Sequence, residues 1–315
     1  MANETFNPYA TFFLSVDVWF WVVHGIITII TVLGNALVVY ILCSRKNLLN
    51  QESPNGRIIL SLGIADLLVG VFNWPAFLTC IYGTSCGKTV WAFITFFVNV
   101  TTNLSVTNLC LLTLDRYIAV VHPFSHIPFT RQTNIVIALF WFIPFLTEIP
   151  HLFELLNVIV ISTLAYRLSY IIIFTILPNI FMCYAYTKIG LVLFKHHKQI
   201  NAQHSVNARD GGENSMSNTL KTGESAAGKE KRQERRRHKD IAAVGMVVAI
   251  FLVCNSIYLY WLGCNYIVSS CVGSNGVTIA AALTSFLNSA PNFFVYAIMK
   301  SDFRKELKKM FKFFK

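Results

Sequence analysis

Asp115-Arg116-Tyr117-Ile118-Ala119-Val120-Val121-His122-Pro123-Phe124 closes Thr89–Leu114, a run without a Lys, Arg, Asp or Glu. An acid and an arginine side by side at the end of such a run belong at a membrane boundary, because charge at bilayer depth costs several kcal/mol. Similar runs lie on both sides. Val18–Ser44, Gln132–Thr147 and Leu168–Thr187 carry no charge, and Ile58–Gly87 carries one, Asp66. Ile241–Met299 is 59 residues without a charge; its middle, Gly263–Gly276, is rich in Gly, Ser, Asn and Cys, so it divides in two. A crossing helix takes about 20 apolar residues. These runs make seven spans, numbered here in chain order, and the fold class is an all-α membrane protein, a seven-transmembrane helix bundle. Composition agrees: 55% hydrophobic with 13% charged is too apolar for an ordinary soluble domain.

The net charge of +11 is concentrated in two places. Lys195–Asp240 holds 11 basic and 6 acidic residues, and Lys300–Lys315 holds 7 and 2. Both stretches abut spans, so the excess of cations on the inner side of a membrane explains them better than nucleic-acid binding does. The loop after span 5 and the C-terminus are then cytoplasmic, and the N-terminus, residues 1–17, is extracellular. No basic leader precedes Val18, so span 1 itself is expected to direct insertion into the plasma membrane. Asn3-Glu4-Thr5 is a glycosylation acceptor on the outer side; Asn99 and Asn103 match the same pattern but lie within span 3. The inner loop, about 198–232, is Gly/Ser/Asn-rich in its middle and is expected to be disordered, with its ends extending spans 5 and 6. Residues 18–299 form the membrane domain. After it, 300–315 form a short amphipathic helix along the membrane, with Phe303, Leu307, Met310, Phe311 and Phe314 dipping into lipid.

The ten-residue block, placed at the end of a third span, resembles the Asp-Arg-Tyr and following Pro-aromatic of rhodopsin-like (class A) G-protein-coupled receptors. The resemblance runs from Gly34 to Phe303. It covers Asn35 in span 1, Leu62 and Asp66 in span 2, Trp141 in span 4, Pro178 and Tyr186 in span 5, and Asn292 and Tyr296 in span 7. It implies a receptor in which an extracellular ligand binds among the outer halves of the helices. Span 6 then moves outward and a heterotrimeric G protein enters beside Arg116. Asp115, Arg116, Tyr117, Pro123, Phe124, Tyr186, Asn292 and Tyr296 would carry coupling and activation, with Arg116 paired to Asp115 at rest. Asp66, Ser105, Asn288 and Asn292 would hold an allosteric sodium ion; the alternative is a protonated Asp66 hydrogen-bonded to Asn35 and Asn292. No other cofactor is implied.

Departures from the family pattern are concentrated at the outer side and in span 6. Trp91 stands where the family has a disulfide cysteine, and the loop at roughly Leu155–Arg167 has none. Cys264 and Cys271 are candidates for a local disulfide instead, as are Cys80 and Cys86. Asn255 and Ile257 replace the family's switch Trp and kink Pro, Pro291 lies one residue before the usual place, and Arg237 stands where some members have a lock-forming glutamate. Val98 occupies the position of the amine receptors' aspartate, and Phe286 that of the opsins' lysine. Candidate pocket residues are Asn73, Asn99, Thr102, Glu148, Tyr170, Tyr258 and Trp261, for a peptide or a lipid-like ligand. No phosphate-binding Gly loop, His-x-x-x-His or nucleophile elbow points to an enzyme. Two rival readings stay open: a silent decoy receptor of the same fold, and a small transporter or channel, suggested by Asp66 but lacking an internal repeat.

Overall fold

A computed structural model describes residues 18–44, 55–82, 87–160, 163–210, 220–266, 275–299 and 301–313. Among these the chain is helical and contains no strand. Spans 1 to 4 are Val18–Ser44, Asn55–Tyr82, Lys88–Val121 and Pro123–Leu155. Span 5 is built from Thr163–Ile171, a π-helical segment Ile172–Ile176, and Leu177–Asp210, and span 6 is Leu220–Tyr266. Six of these are long and apolar enough to cross a membrane. The seventh crossing is made of two shorter helices, Asn275–Leu287 and Pro291–Met299, and Ser301–Phe313 follows it.

Prolines explain both irregularities. Pro178 has no N–H to give the carbonyl four residues back and its ring crowds that carbonyl, so the preceding turn widens and Leu177 N–H bonds to Ile172 instead. Pro291 likewise cannot close a turn onto Leu287. The chain passes through long turn bonds, Ser289 N to Phe286 O at 3.4 Å and Ala290 N to Leu287 O at 3.3 Å, and the last helix starts at the proline. A carbonyl left open inside a membrane protein needs a donor. Asn35 supplies it, giving Nδ2 to Ser289 O at 3.1 Å, so the span 1 amide faces the bundle.

The core on the inner side gathers Val38, Ile41, Leu62, Leu112, Met182, Val247 and Tyr296 from spans 1, 2, 3, 5, 6 and 7. Span 3 is the axis of the bundle, whereas span 4 turns Ile135, Leu139, Phe142 and Leu146 outward. Spans 1 and 7 approach so closely that a Cβ on Gly34 would lie 2.9 Å from Phe293 Cβ, an atom that cannot swing away. Gly34→Val is therefore expected to destabilise the protein by about 1–3 kcal/mol through overpacking. Thermal unfolding of the purified protein in detergent checks this; an unchanged midpoint would show that the two helices separate without cost.

Two sequence expectations need correction. Span 5 is helical to Asp210 and span 6 from Leu220, so helix enters the loop expected to be disordered from both ends; 211–219 lie outside the described residues. The run Lys229–Arg237 is made of good helix formers, which favours that extension. The C-terminal helix does not turn the described part of its apolar stripe to lipid. Phe303 and Leu307 are buried in the inner core with Met310 packed against it, and Phe303 meets the Phe293 ring at 6.3 Å. Trp91, in the family's cysteine position, is buried beside Ile94. Cys264 is disulfide-bonded, while Cys271, Cys80, Cys86 and the glycosylation acceptor Asn3 lie outside what is described, as do the side chains of Phe311, Phe314 and Arg237.

Candidate functional site: an inner switch, a polar hub and an outer cavity

The inner end of span 3 is held from two directions. Arg116 Nη2 lies 2.8 Å from Asp115 Oδ2, and His126 Nε2 lies 3.2 Å from Asp115 Oδ1. Asp115 is fully buried. Its pairing with Arg116 is close but poorly aimed: among the described residues Oδ2 accepts no well-directed hydrogen bond, and Arg116 Nε has no partner. His126 reaches Asp115 because Pro123 starts a helix after the break at His122 and runs on into span 4. Arg57, at the base of span 2, fastens that turn by donating to Asn134 Oδ1 and Thr130 O, both at 3.0 Å. On it Phe124 stands 93% exposed, a bare aromatic on the inner surface. Tyr117 is half-buried, its ring 6.1 Å from that of Tyr184. Tyr186 turns inward against Gly245, and its hydroxyl is buried without a hydrogen-bond partner among the described residues. Tyr296 is buried in the same core.

Above this pair, Asp66 is a polar hub. Ser105 Oγ donates to Oδ1 and Asn292 Nδ2 to Oδ2, both at 2.5 Å, tying spans 2, 3 and 7. Ser289 Oγ joins through Ser105 at 3.4 Å. Asn288 makes no bond to Asp66. The break before Pro291 turns Ser289 toward the hub and leaves Asn288 on the wall of the outer cavity. Asn35 does not bond Asp66 either; it serves Thr31 O and Ser289 O. A second polar chain pins spans 2, 3 and 4, from Trp141 Nε1 to Ser61 Oγ at 2.8 Å and on to Asn108 Oδ1 at 2.5 Å.

The outer cavity has a volume of about 250 Å³. Four of the seven candidate pocket residues line it: Asn99, Thr102, Tyr170 and Tyr258. Asn73 is buried behind it, bonded to Thr101 and Thr102. Glu148 is fully buried one layer out, its carboxylate accepting from Asn99 at 3.1 Å, Asn103 at 3.3 Å and Tyr166 at 3.1 Å. Trp261 points toward span 7, where its indole N–H meets Thr278 Oγ1 at 3.1 Å. Asn255 lines the cavity together with Asn288, and no hydrogen bond joins the two.

Sequence reasoning missed His126, Ser289 and His24. A histidine three residues past Pro123 and a serine beside Pro291 were visible, but their reach depends on local helix geometry. His24 carried a plainer signal, an imidazole inside a charge-free span. It lines the cavity at 2% exposure, with its ring 4.4 Å from that of Phe286.

Comparison with known proteins places these features in a family. Residues 34–296 match the model of the 7 transmembrane receptor (rhodopsin family). The allatostatin-A receptor of Bombyx mori is 32% identical over 135 residues, 40% of this chain and 35% of that protein. Dopamine receptor 4 of Caenorhabditis elegans is 29% identical over 193 residues, 55% and 36%. The muscarinic acetylcholine receptor M3 of Gallus gallus is 31% identical over 135 residues, 40% and 20%. The matched stretch spans roughly a third or less of the length of these relatives. The matched model covers most of the chain, from Gly34 in span 1 to Tyr296 at the end of span 7, and the protein is a member of the rhodopsin family of seven-transmembrane receptors.

Proposed function

We propose that this receptor passes an extracellular ligand signal to heterotrimeric G proteins at the plasma membrane, with its N-terminus outside and its C-terminus in the cytoplasm. The observation that carries the proposal is the inner switch. Arg116 is held by a close but misaligned pair with Asp115, and its Nε is uncommitted. A partner that offers Arg116 better acceptors draws it away from Asp115. Phe124, bare beside it, supplies apolar contact for the same partner. Binding energy that is available only in the open arrangement shifts the population toward it.

Asp66, Ser105, Ser289 and Asn292 suit a monovalent cation. The donor set is one carboxylate with hydroxyl and amide oxygens, and Asn292 Oδ1 is buried without a hydrogen-bond partner among the described residues. A sodium ion there would neutralise Asp66 and tie spans 2, 3 and 7 in the resting arrangement.

A silent receptor of the same fold is the second reading, favoured by span 6. It runs unbroken from Leu220 to Tyr266, and Ile257 keeps the backbone hydrogen bond that a proline would remove. Nucleotide exchange on a panel of purified G proteins separates the readings. Wild type is expected to accelerate exchange on at least one member, and Arg116→Ala to lose that acceleration at equal surface abundance. No exchange on any member, with or without a broad ligand library, would establish the silent reading.

The relatives are named for allatostatin-A, dopamine and acetylcholine, which share no single ligand. The ligand of this chain therefore has to be argued from its own cavity.

A further inference from the structure

We propose that the outer cavity takes a small uncharged molecule, whose hydrogen-bonding head docks between His24 of span 1 and Asn288 of span 7. The inference rests on reading that cavity as the receptor's ligand site, and goes beyond it in naming the chemistry.

No Lys, Arg, Asp or Glu is among the described residues that line the cavity. Glu148 does not supply the missing charge. It lies behind the wall, and both of its oxygens are already engaged by Asn99, Asn103 and Tyr166. A cationic ligand would lose its hydration without gaining a counterion, and an anionic one would fare no better. The volume of about 250 Å³ falls below the roughly 300–1,000 Å³ usual for drug-sized ligands, so the occupant is small.

The polar atoms of the wall are not equivalent. Thr102 and Asn103 are committed to neighbours inside the protein. His24 is buried, at a relative exposure of 2%, and both of its ring nitrogens lack a hydrogen-bond partner among the described residues. The Oδ1 of Asn288 is likewise buried without one. Buried polar groups are paired in the great majority of proteins, so two open ones on the same cavity mark where a ligand's polar head belongs. A neutral imidazole offers one donor and one acceptor, and the Asn288 carbonyl adds an acceptor. An amide-like group, with N–H and C=O side by side, satisfies that set. Phe174 and Phe251, which line the same cavity from spans 5 and 6, suit an apolar or aromatic body.

Three probes of one skeleton test the assignment on the receptor purified in detergent, read as shifts of the melting temperature: phenylacetamide, phenethylamine and phenylacetate. Phenylacetamide is expected to stabilise the wild type, and the two charged probes are not. His24→Phe keeps the ring against Phe286, and Asn288→Leu removes the open carbonyl. Each is expected to weaken phenylacetamide about tenfold, the value of one neutral hydrogen bond. Asn288→Asp introduces the missing counterion and should move the preference to phenethylamine, a gain that misfolding cannot imitate. The proposal is overturned if a charged probe stabilises the wild type as well as the amide does. It is equally overturned if no probe shifts it, or if the amide shift survives both His24→Phe and Asn288→Leu. No G protein enters this measurement, so its failure and a failure of coupling are seen separately.

Discussion

Asp115→Ala is expected to cost the receptor about 3–5 kcal/mol, because it leaves Arg116 as a largely buried charge with no counterion. Arg116 is 8% exposed and Asp115 fully buried, so water cannot take over the role of the lost carboxylate without opening the helix ends. His126 loses its 3.2 Å contact in the same step, and the turn that carries Phe124 loosens. Asp115→Asn separates fold from function. It keeps the shape and an acceptor for His126 while removing the charge that restrains Arg116. Its stability loss should therefore be the smaller of the two, and its basal nucleotide exchange should exceed that of wild type. Thermal unfolding and exchange, measured on the same preparations, check both statements. Basal exchange in Asp115→Asn at or below the wild-type rate would show that the ion pair is not what holds the resting arrangement.

The second large effect is expected at Asp66. Asp66→Ala strips the acceptor from Ser105 Oγ and Asn292 Nδ2 at once. Each buried donor left unpaired costs about 1–3 kcal/mol, which makes the loss roughly 2–6 kcal/mol before any packing defect is counted. Asp66→Asn retains one acceptor oxygen and the side-chain volume, so it should recover more than half of that loss. The comparison also tests the sodium proposal. Wild type should gain thermal stability when sodium replaces a bulky organic cation at constant ionic strength, and Asp66→Asn should not. A sodium response that persists in Asp66→Asn would place the ion elsewhere.

How far the sequence could be read follows from the physics of each feature. The spans were legible because a charge is expensive in hydrocarbon, so the charge-free runs are direct evidence of location. The hub was legible in part. Asp66, Ser105 and Asn292 meet as the family pattern implies, whereas Asn288 and Ser289 exchange roles because Pro291 sets where the helix of span 7 restarts. One residue of displacement rotates the chain there, and no periodicity in span 7 announces it. Glu148 was among the candidate pocket residues. It proved to face Asn99 and Asn103 from behind, and only the packing of spans 3 and 4 decides that. The stripe Phe303, Leu307 and Met310 shows that the last helix has an apolar face. That pattern does not say whether lipid or protein covers it, and here protein does. The transporter or channel reading rested on Asp66 alone, and the family match leaves it without support.

Whether span 6 moves is the point on which a signalling receptor and a silent one differ most directly. Lys239, just before the charge-free part of span 6, and Arg131, near the start of span 4, are both exposed, and cysteines at these two positions take spin labels once the other reactive cysteines, Cys43 and Cys183 among them, are replaced. The distance between the labels is then measured by pulsed electron resonance, with and without a nucleotide-free G protein chosen from the exchange panel. Outward movement predicts a distribution shifted to longer distances by several ångström when the G protein is present, and no such shift in Arg116→Ala. A distribution that stays unchanged while the G protein is bound would contradict the account, because it would mean that the unbroken helix of span 6 does not open the inner face.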